Sequence, residues 1–328
     1  MPVGKLSYIL KKVGAEKTII SLTGLISYCA YAYNGGLSDK IIKKKSIGDM
    51  LRRTSILKQK KLFENLGKYE IDTIRSCKYV SGRTEWDKSF VRLINKKAKY
   101  YHCEEIMRKS FYIGRWEKEK IKKYSIFISQ GSYPIKGIHE ILKILPSLKR
   151  YYPEVQVRIA GPNIVKVESM IDKIKITSYG KIIREIIEKN KLQANVFFLG
   201  NLNEEQMKNE LLKANVFLST SIIENSSNAI GEAMLLGVPC IAANVGGNSS
   251  LITNGIDGYL YPFTEPYMML HYILEVFDEE NQNNVMKISQ NAQKRARLRY
   301  DIDKAREQLL IMYKDVYKNN IAKERIVD

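Results

Sequence analysis

The 328-residue sequence is poor in the residues from which metal and disulfide chemistry is built. Its three histidines, His102, His139 and His271, lie far apart. That all but excludes a histidine-built metal cluster. The four cysteines, Cys29, Cys77, Cys103 and Cys240, have no metal-ligand spacing. They read as reduced, partly buried thiols of a cytosolic protein rather than as a disulfide framework. Long apolar runs are missing as well. Residues 18–33 are the most membrane-like stretch, yet they are too short and too rich in Ser, Thr and Gly for a span. Tyr-rich sequence stands where a signal peptide needs small residues. A buried strand running into a helix fits the stretch better. Acids are also scarce: 35 Asp and Glu against 54 Lys and Arg leave a net charge of +19. Such a balance attracts polyanions, whether phosphates, anionic lipid head groups or nucleic acid, without choosing among them.

What is present is an ordinary globular composition, 45% hydrophobic and 27% charged, in a chain long enough for two domains. From residue 124 onward, short apolar runs alternate with amphipathic stretches. Strands are expected at 125–129, 155–160, 195–199, 216–219, 239–243 and 258–261. Helices are expected at 137–150, 179–191, 204–213 and 228–236, with more helix to the end. This alternation argues βαβ units and a parallel sheet. Several strands are apolar throughout, as strands buried on both faces are. Ligands of such sheets sit at the carboxyl ends of the strands.

The first 122 residues differ. Three strands are expected, at 18–22, 78–81 and 99–103, too few for a complete doubly wound domain. A helical, basic stretch, 40–68, lies between the first two. The expected division is a partial first domain at 1–122, ending near Lys122 and Lys123, a second α/β domain at 123–300, and a final helical segment at 301–328.

The loop after the strand at 216–219 carries the chemistry. Two carboxylates, Glu224 and Glu232, are separated by seven residues, among them the polar run Asn225-Ser226-Ser227-Asn228. Ser and Asn cap helices well, because their side-chain oxygens accept the free amides of the first turn. A helix start beside a strand end suits phosphate or a developing anionic leaving group. Glu232, inside the helix, can accept paired hydrogen bonds from a ribose diol. An acidic surface loop with an exposed helix glutamate is the plainer alternative. Downstream come Gly237-Val238-Pro239, a buried strand and the pair Gly246-Gly247, where backbone can approach a ligand closely.

The run from Glu224 to Glu232, with Gly237-Val238-Pro239, Gly246-Gly247 and Gly255-x-x-Gly258, resembles the family 4 glycosyltransferases. The resemblance is densest over residues 125–261. It implies an α/β architecture of GT-B type: two Rossmann-like domains facing a cleft, the amino-terminal one incomplete here. It implies transfer of a sugar from a nucleotide-diphosphate donor to a glycan or lipid-linked acceptor. Anomeric configuration would be retained, without an essential metal or other cofactor. Carried over by position, Glu224 lies beside the donor sugar and Glu232 holds the ribose. The backbone of Asn225, Ser226, Ser227 and Asn228 meets sugar and diphosphate. Lys136, in Pro134-Ile135-Lys136-Gly137, neutralises the diphosphate, and as a fixed cation it would act on the transition state electrostatically. Gly161 and Gly200 close strands where backbone nears the donor. The last helix, near 303–318, would cross back to the first domain.

Departures accompany these matches. The arginine expected five residues before Lys136 is replaced by Gly131, in Ser129-Gln130-Gly131-Ser132. One diphosphate contact is therefore lost or comes from Gln130, Ser132 or another cation. Ser250 stands where a glutamate is frequent. Thr23 and Gly24 follow the strand at 18–22 where a histidine is usual. If that strand is the fourth of its domain, the first three lie outside this sequence. Two further functional classes then stay open: a catalytically inactive nucleotide-sugar-binding module, and a nucleotide-sugar epimerase of the same fold.

The remaining signals are weaker. Residues 40–61 carry Lys43, Lys44, Lys45, Arg52, Arg53, Lys58, Lys60 and Lys61 against one acid, Asp49. Ile47, Met50, Leu51 and Leu57 form an apolar face at helical spacing. A basic amphipathic helix reads as a contact with an anionic membrane surface. That would make the protein cytoplasmic and peripheral on the inner face of the membrane. A solvated basic face above an ordinary core face is the competing description. No nucleic-acid-binding signature is present. Asp301-x-Asp303 reads as a helix cap rather than a metal motif. Arg83 and Asp87, around Trp86, are candidates to line the acceptor side of the cleft.

Overall fold

The computed structural model describes residues 6–52 and 55–327, in two α/β domains. The amino-terminal domain has a parallel three-stranded sheet, β1 (Ile19–Ser21), β2 (Tyr79–Gly82) and β3 (Lys99–His102), in that order. Around it lie α1 (Leu6–Val13), α2 (Ile26–Ala32), α3 (Asp39–Ile42), α4 (Ile47–Arg52), α5 (Ile56–Ser76) and α6 (Glu85–Ile94). Helices α2 and α5 pack almost backbone to backbone. A Cβ at Gly67 would come within 2.7 Å of the Ser27 Cα. One turn on, the buried Glu70 carboxylate accepts the Ile26 and Ser27 amides at 2.8 and 2.9 Å and so caps α2. Trp86, on α6, meets the Tyr28 ring edge-on, with centroids 5.3 Å apart.

The second domain is built on β4 (Ser125–Ile128), β5 (Gln156–Ile159), β6 (Val196–Phe198), β7 (Val216–Ser219), β8 (Cys240–Ala243) and β9 (Tyr259–Tyr261). Its helices are α7 (Ile138–Tyr151), α8 (Met170–Lys175), α9 (Ser178–Lys189), α10 (Glu204–Lys213), α11 (Asn228–Leu236), α12 (Asn248–Leu251), α13 (Pro266–Phe277), α14 (Gln282–Arg299) and α15 (Ile302–Val327). The sheet is parallel, in the order β6-β5-β4-β7-β8-β9. Counted within the domain this is 3-2-1-4-5-6, the doubly wound order. Strands β4, β7 and β8 are buried at every residue, which explains their unbroken apolar runs. The winding reverses between β4 and β7, so a crevice opens at their carboxyl ends.

Two expectations are revised. Residues 40–61 do not form one amphipathic helix: α3, α4 and the start of α5 are separate, and the Ser46 hydroxyl accepts the Asp49 amide to begin α4. Gly48 and Asp49 face inward against the second domain. The Asp49 carboxylate accepts the Ser178 amide at 2.9 Å, and a Cβ at Gly48 would clash with the Lys175 carbonyl. Ile47, Met50, Leu51 and Leu57 therefore point outward, 41–69% exposed. Arg53 lies outside the described residues. Second, Met107, Phe111 and Trp116 are buried in the core of the second domain. The Trp116 indole donates to the Ala214 carbonyl at 2.8 Å. By packing, the boundary precedes Met107 rather than falling at Lys122. His139 is fully buried, with Nε2 2.6 Å from the Gly35 carbonyl of the first domain.

Helix α15 returns to the first domain, where Asp315 meets Lys99 and Tyr101. The Asp301 carboxylate accepts the Lys304 amide at 2.8 Å, capping that helix. Among the described residues no helix is long and apolar enough to cross a membrane.

Burial pushes the Cys29 and Cys77 thiols up to about 11, with the Glu224 charge adding to the shift at Cys29. The thiolate is the reactive form. At pH 8 a disulfide reagent is therefore expected to titrate fewer than the four thiols of the native chain promptly, and all four in guanidinium. Prompt native reaction at Cys77 would contradict the packing.

Candidate functional site

The carboxyl ends of β4 and β7 open into a cleft of about 370 Å³. Two loops form its walls and are stitched together. Residues Pro134–Lys136 make a single 3-10 turn closed by Gly137 in the left-handed region, φ 69°. A Cβ at Gly137 would lie 2.0 Å from the Thr220 carbonyl oxygen, so only glycine fits there. The Thr220 hydroxyl donates to the Lys136 carbonyl at 2.7 Å, and the Ile222 amide to the Ile135 carbonyl at 2.9 Å. These bonds bring Lys136 Nζ to 2.5 Å from Glu224 Oε1, in a half-buried ion pair on the cleft wall.

Of the residues singled out in the sequence, Gln130, Lys136, Glu224, Ser226, Ser227, Asn228 and Arg83 line this cleft. Ser227 caps α11, accepting the Ile230 amide. The Ser226 hydroxyl is buried on the cleft wall with no protein partner. A buried hydroxyl left open in this way suits a polar ligand. Arg83 is nearly fully buried. Its Nη1 donates to Asn228 Oδ1 at 2.9 Å and pairs with Glu105 Oε2 at 2.5 Å.

Other candidates sit outside the cleft. Asn225 faces the first domain: the Thr84 hydroxyl donates to its Oδ1 at 2.7 Å, and its Nδ2 donates to Asp87 Oδ2 at 2.9 Å. Asp87 is fully buried and also accepts the Arg83 amide and the Tyr100 hydroxyl. It does not line the cleft; it holds the loop that does. Gly246 and Gly247 likewise face protein. A Cβ on either would lie within about 2 Å of the Glu224 or Asn225 carbonyl oxygen, and the Gly247 amide donates to Glu224 at 2.9 Å. The close approach anticipated for a ligand is made to the Glu224–Asn225 backbone instead.

Gly131 has no room for a side chain, since a Cβ would stand 2.7 Å from Ile138 and 2.9 Å from Ile159. Gly161 and Gly200 are joined at 2.8 Å, both at positive φ, at the ends of β5 and β6. The Ser132 hydroxyl is buried and unpartnered, and a Cβ at Gly161 would lie 3.3 Å from it.

Glu232, buried in the second turn of α11, is held by Arg108 through two bonds of 2.7 Å, Nε to Oε1 and Nη2 to Oε2. Hydrogen bonding to that carboxylate raises the Arg108 pKa further above its ordinary value. Arg108, Glu105 and Arg299 were not legible in the sequence. Arg299 bridges the Arg83 carbonyl at 2.7 Å and Glu104 at 2.6 Å. These residues lie on the interdomain connection and on α14, with no motif around them. Among the described residues no cluster of three or more His, Cys, Asp or Glu could hold a metal ion.

A family model described as glycosyl transferases group 1 matches residues 110–295, more than half of the chain. One component of the human phosphatidylinositol N-acetylglucosaminyltransferase is 30% identical over 112 residues, 34% of this chain and 20% of that one. The Escherichia coli UDP-Gal:alpha-D-GlcNAc-diphosphoundecaprenol alpha-1,3-galactosyltransferase is 31% identical over 100 residues, 30% of this chain and 25% of that one. The match thus spans a quarter or less of either relative. The crystal structure of Anabaena HepE in complex with UDP and glucose superposes with a TM-score of 0.63 at 17% identity, covering 90% of this chain and 71% of that one. This likeness shows the two-domain GT-B fold.

The Arg108–Glu232 pair should couple strongly. Arg108→Ala strands a buried carboxylate, a loss of ~3–5 kcal/mol for a fully buried pair; the 40% exposed Arg108 side chain reduces this to about 2 kcal/mol. In a double-mutant cycle by chemical denaturation, Arg108→Ala and Glu232→Gln should be clearly non-additive. Simple additivity would show that the bidentate contact is absent in solution.

Proposed function

The chain belongs to the glycosyl transferases group 1 family, and from that premise we propose that it moves a sugar from a nucleotide-diphosphate donor to a lipid-linked or glycan acceptor, with retention of anomeric configuration. The observation that carries the reading is the Lys136–Glu224 pair at the switch point, beside the first turn of α11. In this reading the diphosphate takes Lys136 from Glu224. Unpaired helix-start amides and a fixed cation are both suited to the charge that develops as the sugar–phosphate bond breaks.

The acceptor hydroxyl oxygen forms the new bond to the anomeric carbon on the face the diphosphate leaves. Its proton passes to the departing phosphate oxygen. Such a front-face displacement asks only for positioning and electrostatics, not for a covalent nucleophile. Glu224, released from Lys136, would orient the sugar hydroxyls. Glu232 would exchange the Arg108 guanidinium for the ribose diol. No metal takes part, so activity should survive a chelator.

Uridine nucleotides are the first donors to try, because UDP stands in the names of two of the similar proteins. Thermal unfolding with a panel of nucleoside diphosphates should show a rise in Tm with one base, by mass action. Glu232→Ala should abolish the rise. Lys136→Ala should lower kcat about 100-fold, as loss of a preorganised charge does. A native chain that no nucleotide stabilises would end the donor-site reading and leave an inactive relative.

An acceptor held in a bilayer would suit the outward face of α4. Ile47, Met50 and Leu51 are exposed there among Lys43, Lys44, Lys45 and Arg52, and the contacting α8 adds exposed Met170 and Ile171. Exposed apolar groups within a basic patch favour an anionic interface. The protein should sediment with anionic vesicles, less so in high salt or as Met50→Asp/Leu51→Asp, and not with zwitterionic ones. Equal recovery with both vesicle types would remove membrane contact from the proposal.

A further inference from the structure

We propose that Arg83, reaching in from the amino-terminal domain, is the second cation that holds the donor's diphosphate. The inference rests on the donor-site reading and adds a residue and a domain to it.

A nucleoside diphosphate brings more than one negative charge into the cleft. Among the described residues, the cations on the cleft wall are Lys136 and Arg83. The carboxyl end of β4 offers no other, because Ile138 and Ile159 close the space around Gly131. Lys136 is a single point charge, whereas a guanidinium presents a planar fork that matches phosphate oxygens.

Position favours the same assignment. Arg83 Nη1 already touches Asn228, the first residue of α11, at 2.9 Å, so the guanidinium stands at the helix start where a diphosphate would lie. Its backbone is held on both sides. The Arg83 amide donates to Asp87 at 3.0 Å, and the Arg83 carbonyl accepts from Arg299 at 2.7 Å. The head group is thus presented from a rigid turn.

Exposure decides which partner gives way. The Arg83 side chain is 6% exposed and its partner Glu105 48%. Glu105 can turn into water at little cost. Arg83 cannot follow it and would be left as a buried cation in need of an anion. Arrival of a diphosphate supplies that anion. The ligand would then join the two domains through its own charge.

The test measures binding of uridine, UMP and UDP to the wild-type chain, Arg83→Ala, Arg83→Lys and Glu105→Gln by titration calorimetry, without acceptor; the base is changed if the panel above selects another. Arg83→Ala should weaken UDP about 10–100-fold, the worth of a charged hydrogen bond, and leave uridine unchanged. Arg83→Lys should recover part of the loss. Glu105→Gln, which frees the guanidinium, should tighten UDP and not uridine. It also keeps the question open to test if Arg83→Ala fails to fold.

A merely structural ion pair would act differently: removing either partner would weaken uridine and UDP together, and that result overturns the proposal. So does undiminished UDP binding by Arg83→Ala with a raised KM for a phospholipid-linked acceptor, which would give the guanidinium to the acceptor's phosphate. Wild-type chain that binds none of the three ligands refutes the donor site itself, and this proposal with it. Wild-type binding of UDP that Arg83→Ala leaves at full strength refutes the role of Arg83 alone.

Discussion

A carboxylate without access to water must find its hydrogen-bond donors inside the protein, and Asp87 is where that demand joins the two domains. It takes the Arg83 and Thr84 amides from its own turn, the Tyr100 hydroxyl from β3 and the Asn225 amide from the opposite domain. The first three bonds shape the end of β2 and the start of α6. The fourth fixes the loop that carries Glu224. With the Gly246–Gly247 turn pressed on the same backbone, that loop has little freedom. Its cleft-facing side chains, Glu224, Ser226 and Ser227, inherit their positions from bonds made on the far side.

In the cleft and beside it, charges come in pairs: Lys136 with Glu224, Arg83 with Glu105, Arg108 with Glu232. Each carboxylate compensates a cation that would otherwise be held at a cost in a partly dry site. An anionic ligand entering here exchanges partners rather than meeting bare charge. Such exchange favours selectivity over affinity, because each bond to the ligand replaces one already present in the protein.

The second domain was legible because its central strands are buried on both faces. Unbroken apolar runs such as 216–219 cannot be mistaken for surface; Gly137 and Gly237 both end turns in the left-handed region, and at Gly137 no side chain fits. The helix carrying Glu232 was legible from its polar start. The basic stretch misled because periodicity reports an amphipathic face without saying which side is inward. Gly48 and Asp49, small and acidic, face the protein, and the larger apolar residues face out. Arg108 could not be found from local pattern. Its partner lies 124 positions away, and only the fold brings them together. The same holds for Asn225, whose role is set by Thr84 and Asp87 across the domain boundary.

The two tryptophans are divided between the domains. Trp116 lies sealed in the core of the second, while Trp86 lies half-buried against Tyr28 in the first. Each domain therefore carries its own intrinsic fluorophore, in surroundings of different polarity. The chain contains a built-in optical means of telling whether its halves unfold as one body or in succession.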